Sequence, residues 1–145
     1  MESGMIYIYA MRIQNGDQHG TAELLLNRSL EQCTDVQTPV RYHRNEHGKP
    51  YLTDHSFFIS ISHTKGYVAV MLASFTPAGI DIEQYGQRVK RVYDRFIRSD
   101  ERVEPYQGDE TWSMLLHWSA KETIFKSMEN ADADLRKLCL SHFIP

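Results

Sequence analysis

The sequence is poor in cysteine, in long apolar runs and in excess charge of either sign. Its two cysteines, Cys33 and Cys139, lie far apart without a Cys-x-x-Cys spacing. This excludes a disulfide framework and a thiolate metal site, and it suits a reducing compartment. No apolar run reaches the length of a membrane span. The formal net charge of −3 argues against bulk binding of nucleic acid. We therefore expect a cytoplasmic protein with no membrane or nucleic-acid partner.

Regular patterns along the chain indicate both strands and helices. Alternating or continuous apolar runs predict strands over 5–13, 56–62, 66–73 and 79–83, the second and third forming a hairpin. Helical spacing predicts helices over 21–33, 86–98 and 110–128, capped at the first and last by Thr21 and Asp109. The tail over 138–144 predicts one short strand at most. Strands and helices mixed in this way indicate an α+β fold, and 145 residues are enough for one domain with a core.

The pentapeptide Gly79-Ile80-Asp81-Ile82-Glu83 carries two acids with strand spacing. Side chains alternate along a strand, so Asp81 and Glu83 are expected on one side, about 6–7 Å apart, and the isoleucines on the other. Two such carboxylates are able to converge on one cation, for which Mg²⁺ is best suited because it prefers oxygen ligands. The alternative is an edge strand with two solvated acids, which the pentapeptide taken alone favours.

A third acid lies on the last helix, where Trp118, Glu122 and Lys126 follow one another at intervals of one turn. A carboxylate on a buried helix face is costly unless it is paired or metal-bound. A plain i, i+4 salt bridge between Glu122 and Lys126, worth a few tenths of a kcal/mol, remains an alternative to a metal ligand.

Four motifs occur in one order: Gly48-Lys49-Pro50-Tyr51-Leu52, Ile61-Ser62-His63-Thr64, the acidic pentapeptide, and Trp118-Ser119-Ala120-Lys121-Glu122 with Lys126. Between the last two, Arg95-Phe96-Ile97 is followed by Glu101. Together they resemble the 4'-phosphopantetheinyl transferase superfamily. The resemblance implies small antiparallel sheets packed with helices in one domain over 1–145, with pseudo-halves of about 1–76 and 77–145.

The same resemblance implies an activity and the residues that perform it. The activity is the Mg²⁺-dependent transfer of 4'-phosphopantetheine from coenzyme A to a serine of an acyl or peptidyl carrier protein, with release of 3',5'-ADP. Asp81, Glu83 and Glu122 would bind the magnesium ion. Glu122 would also act as the base for the carrier serine, and Lys126 would neutralise charge on the diphosphate. Substrate contacts are implied at Gly48, Lys49, Pro50, Ser62, His63 and Lys121.

A series of arginines follows the acidic pentapeptide. If the predicted helix persists, they form one stripe, at Arg88, Arg91, Arg95, Arg98 and Arg102. Acyl carrier proteins are acidic, so the first three arginines are candidate docking residues. The alternative is a solvated helix face.

The chain departs from the two-lobed family members after Lys126, where their glycine-rich turn and further strands are expected. We therefore expect an incomplete second lobe. Three alternatives follow from this: a homo-oligomer that covers an open sheet edge, a minimal and weakly active enzyme, or a non-catalytic module that binds coenzyme A or a carrier protein.

Overall fold

The structure is a computed structural model that describes residues 4–128 and 134–140. Strands alternate with helices along the chain, in the order β1 (Ile6–Arg12), α1 (Gln18–Cys33), β2 (His43–Arg44), β3 (Pro50–Tyr51), β4 (Phe58–Thr64), β5 (Tyr67–Ala73), α2 (Arg88–Arg91) and α3 (Glu110–Ser127). Short 3₁₀ turns follow at Tyr93–Arg95 and Leu135–Lys137. The predicted α+β class is confirmed.

The first half of the chain is built on a three-stranded antiparallel sheet in the order β1-β5-β4. β4 and β5 form the predicted hairpin, in which Phe58 pairs with Ala73 and Thr64 with Tyr67. On one face of the sheet, the central strand contributes Val68, Val70 and Leu72 to a core shared with α1, and all three are fully buried.

Helix α1 ends at Cys33 as predicted, but its N-terminal cap is Asp17 and not Thr21. The Asp17 carboxylate accepts a hydrogen bond from the backbone N–H of Gly20. Thr21 lies inside the first turn, where its hydroxyl donates to the Asp17 carbonyl and accepts from the Gln14 N–H. The prediction of Thr21 as the cap was wrong because its hydroxyl bonds to backbone groups of the turn before the helix.

The helix predicted over 86–98 is wrong in length. Only α2 is α-helical, and the chain then continues through a 3₁₀ turn in which Phe96 N–H bonds to the Tyr93 carbonyl. Val89 and Phe96 are nevertheless buried, in a second core with Leu115 of α3. A three-residue turn changes the angle between successive side chains, so the arginines do not form one continuous stripe.

Helix α3 begins where the sequence predicts. The Asp109 carboxylate accepts from the N–H groups of Thr111 and Trp112, 2.8 and 3.3 Å away, which satisfies two of the free donors of the first turn. The helix then runs 18 residues to Ser127 and carries Glu122 and Lys126 near its end.

The acidic segment over 79–83 is extended but is not a strand. Its backbone bonds to side chains of β4: Ile80 N–H donates to the Ser60 hydroxyl, and Ile82 N–H donates to the Ser62 hydroxyl. The segment therefore lies against the face of β4 from which the Ser60 and Ser62 side chains project. Ser60 and Ser62, which alternate with Ile59 and Ile61 along β4, are buried beneath it.

Within 4–128 and 134–140, every named strand lies before residue 74. Residues 138–140 are not strand, and the rest of the tail predicted over 138–144 lies outside the described residues. No helix in the described part of the chain is long and apolar enough to cross a membrane.

Candidate active site

Three elements meet at the acidic segment and bring together a hydroxyl, a carboxylate and an ammonium group. Ser62 lies on β4, Asp81 in the segment and Lys126 in the last turn of α3. The Ser62 hydroxyl donates to Asp81 Oδ1 at 3.0 Å, and Lys126 Nζ donates to the same oxygen at 2.8 Å. Asp81 and Lys126, which the sequence separates by 45 positions, thus form one ion pair within the second half of the chain. Ser62 joins this pair from the first half.

The Asp81 carboxylate is almost completely buried, with 4% of its side chain exposed. Its Oδ1 atom takes both hydrogen bonds, while Oδ2 is buried without a partner among the described residues. An unpaired buried carboxylate oxygen costs more than an ordinary lost hydrogen bond. This oxygen is therefore a strong acceptor for a donor or a cation.

The Ser62 hydroxyl is fully used by the protein. It donates to Asp81 and accepts from Lys126 Nζ at 3.2 Å and from the Ile82 N–H at 3.2 Å. A hydroxyl has one donor and two acceptor positions, so no capacity remains for a ligand. Ser62 therefore holds Asp81 and Lys126 in this arrangement, and the substrate contact expected of it stays a prediction.

Two further carboxylates, Glu83 and Glu122, flank Asp81. Burial raises the pKa of Glu122; the Lys126 ammonium, 3.9 Å away, lowers it less, and the charges of Asp81 and Glu83 raise it further. Burial also raises the pKa of Glu83, although the Trp118 indole N–H donates to its Oε1 at 2.7 Å. The carboxylates repel each other and are short of positive charge.

The three predicted metal ligands, Asp81, Glu83 and Glu122, lie within range of each other's charge. As arranged, no three His, Cys, Asp or Glu residues in the described ranges are close enough to hold one metal ion. The donor set still fits a hard cation, because it consists of carboxylate oxygens and includes Oδ2 of Asp81, to which no residue in the described part of the chain bonds. In this arrangement the three carboxylates have not converged on one point, and Lys126 Nζ bonds to Asp81.

The predicted Gly48-Lys49-Pro50 site is the tip of the β2–β3 hairpin. Gly48 has a φ of +77°, which favours glycine, and its N–H bonds to the Asn45 carbonyl. The tip reaches α3, where Lys49 Nζ lies 3.5 Å from the Lys126 carbonyl oxygen. Between them is a cavity of about 520 Å³, lined by residues that include Lys49, Tyr51, His55, Ser60, Glu122 and Lys126.

A second cavity of about 730 Å³ lies at the other end of the acidic segment. Its lining includes His63, Lys65, Glu83, Arg88, Arg95 and Trp118. His63 is exposed here and points to the opposite face of β4 from Ser62, because neighbours on a strand alternate. Arg91 is exposed and is not among the lining residues, so the cavity keeps two of the three predicted docking arginines.

Lys121 does not join the cluster. Its ammonium group is fully buried and donates to Glu101 Oε2 at 2.5 Å and to the Phe96 carbonyl at 2.6 Å. Neighbouring residues on a helix point about 100° apart. Because Glu122 faces the acidic segment, Lys121 faces the second core instead. The predicted substrate contact at Lys121 is therefore a structural ion pair.

Two contacts that shape the site were not predicted from the sequence. A Cβ atom at Gly79 would fall far inside van der Waals contact with the Thr123 carbonyl oxygen, so only glycine lets the segment pass this close to α3. The Trp118–Glu83 hydrogen bond was also missed. The glycine at the start of the acidic pentapeptide was the available signal for the first, whereas nothing local indicates the second.

Residues 77–144 match the family model of the 4'-phosphopantetheinyl transferase superfamily. The match contains the acidic segment, the Arg95-to-Glu101 segment and the end of α3, whereas the motifs at 48–52 and 61–64 lie before it. No curated protein matches the chain. Residues 77–144 are thus similar to the 4'-phosphopantetheinyl transferase superfamily, which confirms the resemblance over this part of the chain. The small antiparallel sheets and helices agree with the fold expected of it.

Proposed function

We propose that the protein transfers 4'-phosphopantetheine from coenzyme A to a serine of an acyl or peptidyl carrier protein. The observation that supports this most strongly is the Oδ2 of Asp81, which has no partner among the described residues and is buried inside the segment that matches the superfamily. Around it lie two acids with raised pKa values and one ammonium group. This combination of charges suits the binding of a cation and a phosphate-bearing substrate.

Asp81, Glu83 and Glu122 would hold Mg²⁺ in the proposed enzyme. All three offer carboxylate oxygens, and Mg²⁺ characteristically takes a few carboxylates together with substrate phosphates. When bound, the ion neutralises charge on the diphosphate.

Glu122 is proposed as the base and Lys126 as the cation that stabilises the leaving group. The serine oxygen forms a bond to the phosphorus that carries pantetheine, and the bond from that phosphorus to the bridging oxygen breaks. The electron pair remains on the bridging oxygen, which leaves with 3',5'-ADP. Glu122 takes the serine proton, which its raised pKa favours. The Lys126 ammonium lies close enough to this carboxylate for both to act on one substrate.

The two cavities suggest how the substrates are divided. The cavity under the β2–β3 hairpin would take the nucleotide end of coenzyme A against Gly48, Lys49 and Pro50. The second cavity, with His63 at its wall, would admit the phosphopantetheine arm and the carrier serine. Arg88 and Arg95 line that cavity, so an acidic carrier would meet positive charge beside the reacting groups.

Mass spectrometry of apo-carrier protein tests this proposal. Incubation with the protein, coenzyme A and Mg²⁺ is expected to add the mass of one phosphopantetheine to the carrier, and a Ser→Ala carrier is the control. Carriers from fatty-acid, polyketide and nonribosomal peptide synthesis should be used, because each is a candidate acceptor. The absence of any addition across all three would contradict the proposal.

A second candidate is a module that binds coenzyme A or a carrier protein without transfer. It is favoured by the contact of Lys126 with Asp81 and by the distance between the three acids in the described part of the chain. Calorimetry separates the two functions: coenzyme A binding without modification of any carrier supports the binding module.

Within one chain, Ser62, Asp81 and Lys126 already contact each other in the proposed site. Pairing of two copies would take place at β1, which is at the edge of the sheet and exposes about half of Ile6 and Ile8. Sedimentation tests for such a homo-oligomer.

A further inference from the structure

The Lys126 ammonium group already acts on Asp81 as a bound cation would. Its Nζ atom lies 2.8 Å from Asp81 Oδ1, 3.2 Å from the Ser62 hydroxyl and 3.9 Å from Glu122 Oε2. It thus contacts two of the three acids proposed as metal ligands. A divalent cation that takes the same two carboxylates would come within a few ångströms of this ammonium group, where like charges repel strongly.

We propose that Lys126 and a divalent cation compete for Asp81, so that binding of the cation displaces the lysine. The inference rests on the proposed function, because it assumes that the acidic cluster binds a metal ion. Asp81 Oδ1 has two donors, whereas Oδ2 has none among the described residues. A cation is therefore expected to approach from Oδ2 and to weaken the bond that Lys126 makes to Oδ1.

The released lysine has a place to go. About a quarter of the Lys126 side chain is exposed, and the residue lines the cavity that also contains Lys49. Its four-carbon stem lets the ammonium group move without moving the helix. In this cavity the ammonium group would meet the diphosphate. Displacement of Lys126 by the metal ion would thus make its charge available to the phosphate. Ser62 supports the exchange by keeping a hydrogen bond to Asp81 when the lysine leaves.

Binding of Mn²⁺, measured by the electron paramagnetic resonance signal of the free ion, tests this competition without an activity assay. Mn²⁺ accepts the same oxygen ligands as Mg²⁺. Lys126→Met and Lys126→Gln remove the charge and are expected to tighten binding by about tenfold or more. Lys126→Arg keeps the charge and is expected to bind Mn²⁺ no more tightly than the wild type.

Arg88→Met is the matched control for the removal of one positive charge. Arg88 acts on Glu83 through space, and such long-range effects are screened by salt. Its effect on Mn²⁺ affinity should therefore be small and should fade between low and high ionic strength, whereas the gain from Lys126→Met should persist.

Binding of Mg²⁺ is followed by the fluorescence of Trp118, whose indole N–H donates to Glu83. A Trp112→Phe background removes the other tryptophan. The same order of affinities is expected for Mg²⁺ as for Mn²⁺.

Three outcomes would overturn the competition. If Lys126→Met binds Mn²⁺ no more tightly than Arg88→Met, Lys126 is not a competitor, although the metal site stands. If Lys126→Arg tightens Mn²⁺ binding as much as Lys126→Met, the gain comes from the changed shape of the side chain and not from the loss of its charge. If neither the wild type nor any variant binds Mn²⁺ or Mg²⁺, the proposed metal site fails together with the inference. Circular dichroism of each variant confirms that α3 is intact.

Discussion

Gly79 and Thr123 are in such close contact that the acidic segment and α3 are held together without a side chain between them. A Cβ atom at Gly79 would overlap the Thr123 carbonyl oxygen and lie 3.0 Å from Lys126 Cβ. The contact sets the distance between the backbone that carries Asp81 and the helix that carries Lys126. It therefore controls the geometry of the ion pair at the centre of the site.

Gly79→Ala is expected to lower the free energy of unfolding by about 1–3 kcal/mol, because the new methyl group must push the segment away from α3. Transfer activity should fall by about tenfold or more, since Asp81 and Lys126 then separate. Gly86→Ala is the matched control: a Cβ atom there meets nothing within 4 Å, so stability should change by less than about 0.5 kcal/mol. Chemical denaturation measures both, and equal effects would contradict the role assigned to Gly79.

Ser62→Ala should destabilise the protein more than Ser60→Ala. Ser62 takes part in three hydrogen bonds, one of them to a buried carboxylate, whereas Ser60 accepts one from the Ile80 N–H. The expected losses are about 1–3 and about 0.5–1.5 kcal/mol respectively. Because Ser62 acts through Asp81 and Lys126, Ser62→Ala should lower kcat while KM for coenzyme A changes little. A raised KM with an unchanged kcat would show instead that Ser62 contacts the substrate, as the resemblance implies.

The buried pair of Glu101 and Lys121 is expected to make stability depend on pH in the acid range. Burial alone raises the pKa of Glu101, but hydrogen bonds from the Leu140 N–H, the Lys121 ammonium and the Arg98 N–H lower it below its ordinary value of 4.5. The ionised pair therefore contributes its full stability above about pH 4.5, and this is lost as the pH falls through the lowered pKa. Denaturation curves between pH 3 and 7 should show the loss.

Glu101→Gln should remove that acid dependence and cost about 3–5 kcal/mol at pH 7, because the buried Lys121 charge is left unpaired. Asp100→Asn breaks the exposed pair with Arg98 and should cost at most about 1 kcal/mol. A cost for Glu101→Gln as small as that for Asp100→Asn would show that the buried pair is not structural.

Arg88→Glu and Arg95→Glu should raise KM for the carrier protein by about tenfold while KM for coenzyme A changes by less than about threefold, because the two arginines line the second cavity. Arg91→Glu makes the same charge change outside that cavity and should have a smaller effect. The difference should diminish at high salt. Steady-state kinetics with each substrate varied in turn measures it. Equal increases in KM for both substrates would refute carrier docking at this cavity.

Local features of the fold were predictable from the sequence because local residues cause them. The Asp109 cap sets the start of α3, and the short, glycine-containing connection before β5 produces the hairpin. The helix predicted over 86–98 failed because the three-residue step from Val89 to Val92 is compatible with both an α-helix and a 3₁₀ turn. Val89 and Phe96 are buried all the same, since both forms place them against α3.

The site was predictable in composition but not in arrangement. Extended residues alternate in the same way whether their backbone pairs with another strand or, as here, with the hydroxyls of Ser60 and Ser62. Nor does the sequence state which of Lys121 and Glu122 faces the acidic segment, because the rotation of α3 about its axis depends on tertiary packing. Lys121 was therefore assigned to a substrate, although it lies buried beside Glu101.

The measurement that tests the central claim most directly is the mass of an apo-carrier protein after incubation with coenzyme A, Mg²⁺ and either the wild type or a variant. The account predicts addition of one phosphopantetheine with the wild type and with Asp100→Asn, and a loss of about 100-fold or more in rate with Asp81→Asn and Glu122→Gln. Addition at the wild-type rate by both of these variants, or no addition by the wild type to any carrier, would contradict it.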